Sequence, residues 1–168
     1  SLALDATFEA GEFEMGLLPM LAGGLLTVFA MWWVYFDEEA SYLLDDARTA
    51  YMWGYGHYLI FATAAAVGAG LAVSLDVATH HAHVSATVSG LSLAVPTALF
   101  LLGTWFLQER PSQSNDGMHM PLGAVLVLAA AWTPEPAFAV GLVMAAVVAV
   151  KVFLRHRAAV QAEASVSA

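Results

Sequence analysis

The sequence predicts an all-α fold, a polytopic transmembrane helix bundle of about five membrane segments, on three observations. Hydrophobic residues make up 60% of the chain and charged residues only 11%, less than half the charge of a soluble domain. The mean hydropathy is +0.72. Polar residues gather into short clusters separated by apolar runs near the ~20 residues that cross a hydrocarbon core. The expected organisation is an acidic external segment at 1–15, a helical membrane domain at 16–154 and a cytoplasmic tail at 155–168, with no appended globular module. Cysteine is absent, which removes disulfides and thiolate metal ligands. The acidic opening from Ser1 lacks the positive region and cleavage site of a signal peptide, and a missing initiator Met fits a fragment or a processed chain.

The first span is expected at 16–36, ending in the aromatic run WWVYF, whose amphipathic rings suit a headgroup boundary. The second runs over 51–75 and the third over 85–107. The fourth, at 118–132, reaches only about 22 Å at ~1.5 Å per residue, short of a ~30 Å core. Length alone therefore leaves open whether segments four and five cross or form a re-entrant hairpin. The two prolines of WTPEP forbid a continuous helix there, and a fifth span follows at 137–154. The tail after it is small and polar and is expected to fray.

Five crossings put every cation on one side: Arg48, Arg110, Lys151, Arg155 and Arg157. Because cytoplasmic loops retain Lys and Arg, the carboxyl terminus is read as cytoplasmic and the amino terminus as external. The net charge of −9 is spread over loops of both faces, among them Asp5, Glu9, Glu12 and Glu14 outside and Glu38, Glu39, Asp45 and Asp46 inside. That excess of acid argues against nucleic acid or anionic lipid as the main partner; the expected partner is the bilayer itself.

The second span opens with an ionisable side chain, His57. Helical spacing aligns His57, Phe61, Ala64 and Gly68, and small residues four apart suit a close helix–helix contact. His57 is therefore expected to face protein and to need a hydrogen-bond partner, because an unpaired buried polar group costs about 1–3 kcal/mol. The first span ends at the same boundary, so Tyr35 or Asp37 is the partner expected. Two readings stand beside each other: a histidine that pins two helices, and a histidine that handles a proton or contacts a ligand.

WWVYFD at 32–37 followed by WGYGHYLIF at 53–61 resembles the bacterial low temperature requirement A (LtrA) family, with its Trp-Trp-x-Tyr-Phe-Asp span end and Gly-His motif. The resemblance covers essentially the whole chain. It implies a multi-pass cell-membrane protein without a settled biochemical activity, and it draws attention to Trp32, Trp33, Tyr35, Phe36, Asp37, Gly56 and His57. Members are longer than this chain, and SLALDATFEAG is similar to the stretch after their central Leu-Gly-Glu-Ser segment. The chain thus resembles their carboxyl-terminal half, which makes an amino-terminal half an expected partner, with a homo-oligomer kept open. The family's acid-then-His motif at the outer end of the helix is matched only loosely, by LDVATHHAH with Asp76 and His80 further apart.

Two further features of the sequence carry polar chemistry. In THHAH at 79–83, His81 and His83, with Asp76 or His80, have the residue types of a transition-metal site, but a polar loop offers little to orient them. The plainer reading is a solvated loop, and no cofactor is expected. Pro96 near the middle of span three removes the hydrogen bond to the Ser92 carbonyl and should kink the helix; Ser85, Ser89 and Ser92 lie nearby to satisfy freed groups. The kink is read as packing, with a polar pathway as its rival. No phosphate loop, His-Glu-x-x-His motif or nucleophile–base pair is present, so enzymatic activity is not expected. The leading function is solute or ion transport, or its regulation, with a polar site at His57, Tyr35, Asp37, Trp32 and Trp33. The alternative is a non-catalytic packing or interaction module of a larger membrane protein.

Overall fold

The computed structural model describes residues 2–37, 47–79, 81, 84–109 and 118–166. Among these residues five α-helices form in the expected order: α1 (Leu2–Phe36), α2 (Ala47–Ala78), α3 (Ala86–Thr104), α4 (His119–Ala130) and α5 (Pro136–Val166). No strand occurs among the described residues. Among the described residues four stretches are long and apolar enough to cross a membrane, Leu17–Phe36, Trp53–Ala78, Ala86–Gln108 and Pro136–Gln161. The bundle is therefore an all-α membrane fold, with lipid rather than water as the solvent of its apolar outer faces.

Two boundaries are longer than the sequence predicts. α1 continues without a break back through the acidic segment, with Pro19 inside it, and α5 runs to Val166 through the tail expected to fray. Ala, Gln and Glu in that tail are good helix formers, and the helix behind them already carries the nucleation cost. α3 is continuous across the buried Pro96 and begins with Ser85 as N-cap, whose Oγ accepts from the Val88 N–H at 3.2 Å. Its last turn widens into a π-helix at Trp105–Glu109, which no sequence pattern announces.

Small residues set the packing. Gly70 of α2 lies against the backbone of Ser92 and Leu93, and the buried Ser74 and Ser89 hydroxyls meet at 3.4 Å, so α2 and α3 form one close pair. Gly23 of α1 abuts Ala137, and Gly141 of α5 abuts Gly23, so α1 and α5 run side by side in the same direction with their backbones touching. α4 runs antiparallel to α3: its Gly123 faces Leu101, while Ala131 just past its end faces Gly90. At 12 residues it is about 18 Å long. The residue just past its end reaches the level of Gly90, at the opposite end of α3 from Thr104.

One packing expectation is corrected. α1 packs chiefly on α5 and only lightly on α2. On α2 the buried residues are His57, Ile60, Thr63, Val67, Gly70 and Ser74, whereas Phe61 and Gly68 are exposed. Nothing lies within 4 Å of a Cβ placed on Gly68. Gly68 and the half-buried Ala64 instead floor an apolar groove of about 320 Å³ between α1 and α2. The reason is competition: α3 takes the close-packing face through Gly70 and Ser74, one notch around the helix from the stripe expected.

Candidate functional site

Polar side chains of four helices converge at the end of the bundle where α1 stops. The WWVYFD segment closes α1, with the Asp37 N–H donating to the Trp33 carbonyl at 3.0 Å. Two cations of α5, four residues apart and so on one face, reach Asp37: Arg155 lies 2.8 Å and Lys151 3.5 Å from its Oδ2. Lys151 is only 3% exposed and Arg155 43%. Arg155 also donates to the Asp37 carbonyl at 2.9 Å. From the π-turn, Gln108 donates through Nε2 to the Tyr35 carbonyl at 3.3 Å. The terminal carbonyls of α1 are thus received by side chains of α3 and α5, and a cation at a helix C-terminus is the favourable sign against its dipole.

His57, 8% exposed, sits beside this cluster in the first turns of α2. Its Nδ1 is 2.6 Å from the Trp53 carbonyl of its own helix. A carbonyl only accepts, so Nδ1 carries a hydrogen, and Nε2 is the ring nitrogen left for any further partner or proton. Three aromatic rings surround it: Trp53 at 4.0 Å between centroids, Tyr35 edge-on at 5.9 Å and Phe61 at 5.9 Å. Nε2 and the indole nitrogen of Trp53 are both buried without a hydrogen-bond partner among the described residues.

The hydrogen bond expected from His57 to Tyr35 or Asp37 is therefore replaced. Tyr35 meets His57 ring to ring, with the two planes at 80°, and Asp37 is held by two cations that bind a carboxylate more strongly than a neutral imidazole does. The preceding glycine has a local cause: a Cβ on Gly56 would run into the Leu107 side chain, so the π-turn comes close to α2 only because residue 56 has none. Trp32 and Trp33 lie outside this polar core, exposed and edge-to-face, and with Phe36 and Asp37 they line a shallow pocket of about 170 Å³.

Sequence reasoning missed Lys151, Arg155 and Gln108 as neighbours of the motif. A signal existed for the first two: Lys151 is the chain's single lysine, four residues before an arginine at the end of an uncharged span. Gln108 carried none, because the π-turn sets its direction. At the other end of α2, Asp76 is exposed and its carbonyl accepts from the His81 N–H at 2.8 Å, while His81 Nδ1 lies 2.9 Å from Thr79 Oγ1. His80 and His83 lie outside the described residues. Among the described residues no three His, Cys, Asp or Glu side chains are grouped for a metal.

An all-α bundle with apolar outer faces, membrane-length helices and a polar cluster at one end defines the class as a polytopic membrane protein. More narrowly, the chain belongs to the family of the bacterial low temperature requirement A protein (LtrA), whose model matches residues 2–153. No curated protein and no solved structure matches the chain.

Proposed function

We propose that this chain handles a proton or small ion, in transport or in its regulation, at a polar site close to the cytoplasmic face. The observation that carries the reading is His57: nine-tenths buried, its Nδ1–H tied to the Trp53 carbonyl, and Nε2 without a hydrogen-bond partner among the described residues. Ionisable groups at membrane depth are costly and are found where an ion or proton must be received. With Nδ1 already protonated, a proton arriving at the ring binds at Nε2. The resulting imidazolium lies against the tilted rings of Trp53 and Phe61, and a cation over an aromatic face gains about 0.5–2 kcal/mol. The cytoplasmic assignment rests on Lys151, Arg155 and Arg157 at this end, with Arg48 and Arg110 on the same side of a five-pass chain.

Proton flux into proteoliposomes carrying the full-length protein and a trapped pH dye tests the reading. His57→Gln and His57→Ala should both lower the initial rate at least about tenfold, one pH-sensitive nitrogen being lost in each. Flux unchanged in both, with a lowered Tm, would leave the packing module instead. That second reading is favoured by one observation: the hydrogen bond His57 makes stays within its own helix, beside an edge-on Tyr35 that joins α2 to α1.

A further inference from the structure

We infer that the groove between α1 and α2 is a site for one acyl chain of a bilayer phospholipid, held by its hydrocarbon tail whatever headgroup it carries. The groove, of about 320 Å³, lies between two of the stretches that cross the membrane, Leu17–Phe36 and Trp53–Ala78. Its floor is made by Ile60, Val67 and Phe100, each at most 3% exposed, and its rims by Val28 and Trp32 of α1 and Phe61 of α2, all exposed. Those rims belong to the outer faces whose solvent is lipid, so the groove is a lateral recess in a lipid-facing wall. No charged side chain lines it among the described residues. Its depth at the middle comes from a missing side chain: a Cβ on Gly68 meets no atom within 4 Å.

Size and chemistry choose among the three things a membrane offers such a recess: water, another helix or a lipid chain. A buried water needs about 2–4 polar partners, and a lining this apolar leaves the middle of the groove without them. From Val28 to Phe36 the groove follows α1 for about 12 Å, and a helix about 10 Å wide and of that length takes up roughly 900 Å³, nearly three times the space. Another helix can therefore lay side chains over the rims but cannot enter. An alkyl chain is one methylene wide, bends to the floor and asks for no hydrogen bond. Tails are as apolar as the wall, so entry gains no hydrophobic free energy; it gains the dispersion contacts that the walls of an unfilled recess lose. Since every phospholipid presents such a tail and no charge lines the groove, the site selects the chain and not the headgroup. At the end of the groove Tyr35 and Phe61 are the rings that also pack on His57, so the chain rests against the wall of that site. It uses neither ring nitrogen, and the inference stands apart from proton handling.

Native mass spectrometry of the full chain, released from vesicles of equimolar phosphatidylethanolamine, phosphatidylglycerol and phosphatidylcholine with identical acyl chains, tests this. One phospholipid per chain should be retained, the three headgroups within about threefold of one another. Gly68→Leu fills the groove from α2 and Val28→Trp fills it from α1, and each should lower retention about tenfold with Tm unchanged. Gly54→Leu is the control: a Cβ there is equally open, residue 54 does not line the groove, and lipid should be retained as in the wild type. A phospholipid with a diazirine on its acyl chain should label Ala64 and Gly68, and Val28→Trp, on the opposite wall, should lower that labelling about tenfold. Wild-type retention or labelling in a groove-filling variant, equal loss in Gly54→Leu, a preference of about tenfold for one headgroup, or a second copy of the chain retained in place of lipid would overturn the proposal.

Discussion

The two ends of the bundle hold their helices together by different means. Away from the polar end, helices meet backbone to backbone: Gly23 against Ala137, Gly141 against Gly23, Gly70 against Ser92, and Gly90 against Ala131 and Pro136. At the polar end long side chains do the joining, with Arg155 and Lys151 reaching Asp37, Gln108 reaching Tyr35, and rings packed around His57. Lipid tails are as apolar as leucine, so association in the membrane relies on close packing of small residues and on polar contacts. The first means tolerates no added atom. The second tolerates side-chain movement.

That contrast can be broken from either side. Gly141→Leu should have the largest effect, because its Cβ would meet the Gly23 backbone, which has no rotamer with which to yield. A loss of about 3 kcal/mol or more, read as a lowered Tm and loss of a monodisperse species in detergent, is expected. Asp37→Ala comes next, since it leaves Lys151, 3% exposed, beside Arg155 without the carboxylate between them. Removing one partner of a buried pair costs about 3 kcal/mol, and adding Lys151→Met should restore at least half of it in a double-mutant cycle. Arg155→Gln should cost least, about 0.5–1 kcal/mol, because the guanidinium is 43% exposed and screened. Equal losses for Arg155→Gln and Gly141→Leu would erase the distinction between the two ends.

The helices were legible because hydropathy and proline placement act along the chain. All five segments appear near their expected positions, and the short fourth segment is short in the structure as well. Which helix meets which was not legible. Sequence order suggested that α1 and α2 pair, yet the glycines that decide it, Gly23 and Gly141, lie 118 residues apart. Each is unexceptional until the other is opposite. The placement of His57 among protein atoms was readable from the cost of burying an imidazole, and its proximity to Tyr35 from the shared boundary. Its hydrogen bond was not, because the carbonyl four residues back competes with any partner across the interface, and Asp37 had cations that only the tertiary fold supplies. The π-turn was invisible for a similar reason: its widened geometry fits Leu107 over Gly56 and Gln108 onto α1, contacts absent from any local pattern.

The length of α4 has a consequence for the surroundings. Leu122, Val125 and Leu126 on its outer face are exposed, so this flank offers an apolar length of about 18 Å, with Trp132 just beyond its end, where its neighbours offer ~30 Å or more. A hydrocarbon layer matched to α2 and α5 is mismatched along this flank, and a short apolar flank is accommodated by local thinning of the bilayer or by covering it with protein, each at a fraction of a kcal/mol per Å.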